Sequence, residues 1–226
     1  MAAVVLAKRK AVDRLAELGL DVGLIERVVR RADADVSTFT EFDPPIMQGL
    51  TRWGRISRYL REELIPQGWS YDNPRNLART IHPSGEFAIV AATGDELTGL
   101  VGLLPTTRYR KGDATVQAVA INEQLTFDFG DGFTTEMTAD AGALLTWILL
   151  FFEDEAEFRV ELSLPDGIED GRITSWSERI ILPPFPRGQA VMSPLFTVPF
   201  EQGTFGQGTF GDGDQHEHVV VEVTRR

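Results

Sequence analysis

LLTWILLFF, residues 144–152, is the longest apolar run in the chain, and its reading decides the fold. A membrane-crossing helix needs roughly 20 apolar residues, so this run is strand-sized. Apolar at both parities, it predicts a central strand covered on each face. Glu153, Asp154 and Glu155 follow as an exposed turn, where a solvated tip is the expected role for paired carboxylates. FRVELSL, residues 158–164, then alternates: Phe158, Val160, Leu162 and Leu164 point to a core, and Arg159, Glu161 and Ser163 to solvent. PDGIEDG supplies turn residues, Arg172 to Leu182 forms a further strand around Trp176, and PPFPRG breaks it.

Upstream, residues 83–104, PSGEFAIVAATGDELTGLVGLL, read as two strands about a turn near Gly94-Asp95. Residues 114–129 alternate through Val119, Ile121, Leu125, Phe127 and Phe129, and Gly130-Asp131-Gly132 turns the chain into Phe133 to Met137 as a second hairpin. Val219 to Val223 closes the set. About eight short strands predict a mostly antiparallel sandwich or barrel-like domain. A parallel nucleotide-binding sheet is disfavoured, because after Gly85 the only helical stretch is a short one near Thr138 to Ala143.

The chain before residue 80 has helical periodicity instead. Residues 3–18 read as one helix stopped by Gly19; Asp21 caps a second helix to about Ala32; a third runs from about Ile46 to Leu64, with Trp53, Ile56, Leu60 and Leu64 on one stripe. The class is therefore α+β. Residues 1–80 form a helical bundle or cap of about three helices, and residues 81–226 an acidic antiparallel β domain with a Gly/Phe-rich loop at 201–217.

Composition narrows the function. With 42% hydrophobic and 25% charged residues the chain is an ordinary globular sequence, and its lack of cysteine excludes disulfides, thiolate metal sites and thiol nucleophiles. The net charge of −12 is uneven: residues 1–80 carry 13 Lys/Arg and 11 Asp/Glu, residues 81–226 carry 9 and 23. So acidic a second part repels phosphate backbones and suits solubility or a basic protein partner. With no secretory signal and no apolar span, the expected location is cytoplasmic, with no membrane contact.

Three groups of residues are candidate sites. Arg52, Arg55, Arg58 and Arg61 recur every third residue on the Trp53 helix, where they either track phosphates or dock on the acidic domain. Phe185, Phe200, Phe205 and Phe210 sit in Pro- or Gly-rich stretches and are available to anchor a partner. Asp214, His216 and His218 share a parity in QGTFGQGTFGDGDQHEH, residues 202–218, and would suit a divalent metal, although Val219, Val221 and Val223 turn His218 to solvent. No catalytic residue is assigned: His82 lies near Ser84, but the chain holds no G-x-S-x-G elbow. No cofactor is expected.

The first expectation is a non-enzymatic protein-binding accessory module in a larger assembly, using its acidic β domain and aromatic loops. The alternatives are a phage, mobile-element or defence accessory protein that modulates a nucleic-acid enzyme, by acidic mimicry or through the arginine helix, and a metal-dependent enzyme using the Asp/His stretch.

Overall fold

The computed structural model describes residues 3–129 and 144–187. The chain divides into two units, Met1–Gln189 and Ala190–Arg226, of which the second lies outside the described residues. The elements of the first run in order as β1 (Val4–Ala7), α1 (Arg9–Glu17), α2 (Val22–Val36), α3 (Pro45–Leu64), β2 (Ser70–Asp72), β3 (Arg79–Ile81), β4 (Phe87–Thr93), α4 (Asp113–Phe129), β5 (Leu145–Glu153), β6 (Glu157–Glu169), β7 (Arg172–Ile181) and β8 (Phe185–Pro186). All the strands join one open sheet of order β1-β7-β6-β5-β4-β3-β2, with β8 paired to β6. The class is α+β, but the sheet is neither closed into a barrel nor doubled into a sandwich.

The apolar run behaves as its composition dictates. Trp147, Leu149 and Phe151 of β5 pack on one face with Ile89, Val160 and Leu162, beneath Leu15, Val28, Ile56 and Leu60 of α1, α2 and α3. Ile148 and Leu150 pack on the other with Val90, Ala92 and Trp176, against Ala118 and Val119 of α4. Covering both faces lets a strand be apolar throughout.

Local signals hold for α2 and α3. The Asp21 carboxylate accepts from the Leu24 N–H at 2.8 Å and so satisfies an orphan donor of the first turn. Pro45 takes the first helical position of α3, where its missing N–H costs nothing.

Three readings are corrected. Residues 3–18 are not one helix: Val4–Ala7 leave as strand β1 and pair in parallel with Glu178–Ile181 of β7. Residues 114–129 are helical, because Ala114, Ala118 and Asn122, four apart, meet the sheet, and the alternation of Val119 and Ile121 is incidental to that packing. Asn122 is fully buried, its amide donating to the Thr146 carbonyl at 2.9 Å and the Pro165 carbonyl at 3.1 Å and accepting from the Thr146 N–H at 2.8 Å. With α4 between them β4 and β5 pair in parallel, so the sheet is mixed and contains a parallel crossover unit.

The stretch after β4 is the third correction, since residues 95–106 form turns and not a second strand. Those turns lie over β6 and β7 and bury Glu161 and Ser163, which strict alternation assigned to solvent. The Arg179 guanidinium donates to Glu161 at 3.0 and 2.6 Å, and Glu161 also accepts from the Gly99 N–H at 2.9 Å. Arg179 donates to the Leu103 carbonyl as well, tying the turns to the sheet. Gly94, which opens this stretch, admits no side chain: a Cβ there would stand 2.0 Å from Thr98 Oγ1 and 2.8 Å from Leu150 Cγ. Among the described residues no helix is long and apolar enough to cross a membrane.

Candidate functional site

Parallel pairing brings Thr93, at the end of β4, and Glu153, near the end of β5, to the same edge of the sheet. In open sheets with crossover helices, ligands bind beyond the carboxyl ends of parallel strands. At this edge lies a cleft of about 500 Å³, lined by Ile46, Gln48, Gly49, Leu50, Arg52 and Trp53 of α3, by Thr93 and Glu153, and by Arg108, Tyr109 and Lys111 of the β4–α4 connection.

One wall is the first half of α3. Residues 45–50 are exposed all round, with Ile46 73% and Leu50 53% accessible, beside Phe42 at 89%. The helix is anchored below this free end, where the Trp53 indole N–H donates to the Ala91 carbonyl at 3.0 Å.

The floor is an ion-pair network. Arg52, nearly inaccessible, donates to Glu153 Oε1 at 2.7 Å and to Asp33 Oδ1 at 3.3 Å, and Arg187 reaches the same Asp33 oxygen at 3.0 Å. Two carboxylates are thereby matched by two guanidiniums from separate parts of the chain. Burial pushes the Glu153 carboxyl above its usual range, against the charges of Arg52, Arg187 and, at longer range, Arg108.

The opposite wall is formed by Arg108, Tyr109 and Lys111 of the basic stretch RYRK, residues 108–111. Its backbone is fixed at both ends: the Arg108 N–H donates to the Thr93 carbonyl at 2.9 Å, and the Lys111 N–H to the Gly171 carbonyl at 2.6 Å. Gly171 belongs to the tip of the β6–β7 hairpin, whose register shifts between Leu164 and Ile168. Thr107 completes the join, its hydroxyl accepting from the Ile173 N–H at 3.1 Å. Among the described residues neither Arg108 nor Lys111 forms a hydrogen bond or ion pair with a carboxylate, and the Arg108 guanidinium lies 5.8 Å from the Tyr109 ring. Burial lowers the Lys111 amine to a pKa of about 8, so near neutral pH it is a partly desolvated cation, and among the described residues it has no ion-pair partner.

The residues singled out in sequence fall elsewhere or in part here. Arg52 is on the cleft floor. Arg55 pairs with Asp35 at 2.8 Å, Arg58 with Glu62 at 2.6 Å, and Arg61 donates to Asn73 Oδ1 at 2.8 Å and to the carbonyls of Asp72 and Arg79, so the stripe is answered within the fold. Phe185, expected as an exposed anchor, is buried in the core on β8. Phe200, Phe205, Phe210, Asp214, His216 and His218 lie outside the described residues. Among the described residues no three acidic, His or Cys side chains gather as a metal site.

Arg108, Tyr109 and Lys111 went unnoticed in sequence, and Glu153 was assigned to a solvated turn. A signal was present: three of the nine basic residues after position 80 stand within RYRK. A comparison with protein-family models finds no match, and searches of curated proteins and of solved structures find none either.

Proposed function

We propose that the chain is a binding module whose cleft receives an organic anion, the anionic group meeting Arg108 and Lys111 and its apolar part lying along Ile46, Leu50 and Trp53. One observation carries this reading: in a chain with 34 acidic and 22 basic residues, two cations of one cleft wall stand without a carboxylate partner among the described residues. Charge-assisted hydrogen bonds to an incoming anion would satisfy both, and the cleft is within the size range of small-molecule sites.

The test is titration of the purified protein with 3-phenylpropionate and its uncharged amide, followed by NMR. Acid binding that perturbs residues 46–53 and 108–111, and that weakens about tenfold or more in the R108A/K111M double variant, is the expected result. Equal binding of acid and amide, or none of either, overturns it.

A second reading rests on the free end of α3. Phe42, Ile46, Met47 and Leu50 form an exposed apolar group, as does a surface awaiting a protein partner, and this supports the protein-binding accessory role expected from sequence. Under that reading the organic anion is an acidic side chain of the partner. A partner captured by the native protein and lost on I46S/L50S substitution supports it; retention argues against it.

A further inference from the structure

Charge accounting at the cleft narrows the ligand. The floor is closed on itself, with Arg52 and Arg187 balanced against Asp33 and Glu153. Among the described residues Arg108 and Lys111, three positions apart on one fixed loop, then have no ion-pair partner, and Arg108 acts on Glu153 only through space. Arg108 is exposed and Lys111 half-buried, so a monocarboxylate on Lys111 leaves the Arg108 guanidinium to solvent, whereas a dianion engages both cations at once through charge-assisted hydrogen bonds. We propose that the cleft takes a dianion, and specifically a phosphate monoester on an apolar or aromatic carrier.

A monoester concentrates three acceptor oxygens and about two charges on one centre, which suits a guanidinium and an ammonium carried by one short loop. The carrier faces Ile46, Leu50 and Trp53, and Thr93 lines the floor between the walls. This inference rests on Arg108 and Lys111 being the anion receptor, and it adds the charge and class of the ligand.

Two titrations enter the pH dependence. The second ionisation of a phosphate monoester falls near about pH 6, so binding strengthens as the pH rises through it. Lys111 loses its proton near 8, so binding weakens as the pH rises further. The charged and titratable groups around Lys111 are Arg108, Tyr109 and Arg110 on its own loop, Asp113 at the start of α4, Arg52 on α3, Glu153 on β5, and Glu169, Asp170 and Arg172 at the β6–β7 turn that holds Gly171.

The experiment is calorimetric titration with phenyl phosphate, 3-phenylpropionate, phenylmalonate and inorganic phosphate from about pH 5 to about pH 9. Phenyl phosphate binding about tenfold tighter than 3-phenylpropionate near neutral pH, with a bell-shaped profile, is expected, while 3-phenylpropionate shows the upper limb alone. Inorganic phosphate binds more weakly than the ester because it lacks the carrier. K111M reduces phenyl phosphate to the affinity of the monocarboxylate, and K111R keeps the affinity while removing the upper limb. If 3-phenylpropionate matches phenyl phosphate, the dianion is wrong and the anion site stands; if phenylmalonate exceeds phenyl phosphate about tenfold, the phosphate class is wrong. If none of the four binds, the site itself is wrong.

Discussion

Glu161 shows how one side chain organises a surface. Fully buried on β6, it accepts from Arg179, from Ser163 Oγ at 2.9 Å and from the Gly99 N–H at 2.9 Å, so one carboxylate joins two strands to the turns over them. A buried ion pair is not in itself a source of stability, but breaking one partner strands the other charge. Glu161→Gln should therefore cost about 3–5 kcal/mol in urea denaturation and open residues 97–104 to proteolysis, whereas the double change Glu161→Leu/Arg179→Met should cost less. If the single change costs no more than the double, the pair does not hold the turns. Alternation in FRVELSL gave no sign of this burial, because period-two reasoning assumes that polar residues face water, and here a loop from elsewhere in the chain covers them.

At the scale of elements, α3 carries two glycines inside a helix of 20 residues. A Cβ at Gly54 or Gly49 would meet nothing within 4 Å, so neither glycine is required by packing. Gly54→Ala should stabilise the protein by about 0.5–1 kcal/mol through the lost freedom of the unfolded chain, read as a rise in the denaturation midpoint; a fall would mean the helix is bent or opened there. Gly49 borders the cleft, so its replacement by alanine should bring a similar gain together with weaker ligand binding. α2 and α3 were legible because their signals are local: a side-chain cap at Asp21, prolines at the start of α3, and apolar residues at helical spacing. α4 was not, since β-branched residues at alternate positions also satisfy a strand pattern, and burial of Asn122 depends on carbonyls of β5 and β6 that no local pattern reveals.

Across the sheet, β5 and β6 are central, and β1 and β2 are the edges. The parallel pairings join distant segments: β1 near the start lies on β7, and β4 reaches β5 only through α4. Amides in the middle of β5 and β6, flanked on both sides and covered on both faces, should exchange with deuterium only by global unfolding, and those of β2 and β3 much faster. Equal protection across the sheet would show that it opens as one unit. The cleft is a product of this topology. Its walls come from residues 45–53, 93, 108–111 and 153, and nothing in their spacing along the chain announces that they meet.

Sequence alone determined the parts whose cause is near at hand: an α+β composition, the helical period of α2 and α3 with the Asp21 cap of α2, β7 around Trp176, and β5 as a strand covered on both faces. Tertiary structure decided that residues 4–7 pair as a strand, that residues 113–129 are a helix, that Glu161 is buried, and that RYRK stands beside α3 as one wall of a cleft. The physical reason is the range of the interactions. Caps and periodicity act within a few residues, whereas burial, strand partnership and the pairing of charges depend on which distant segment arrives alongside.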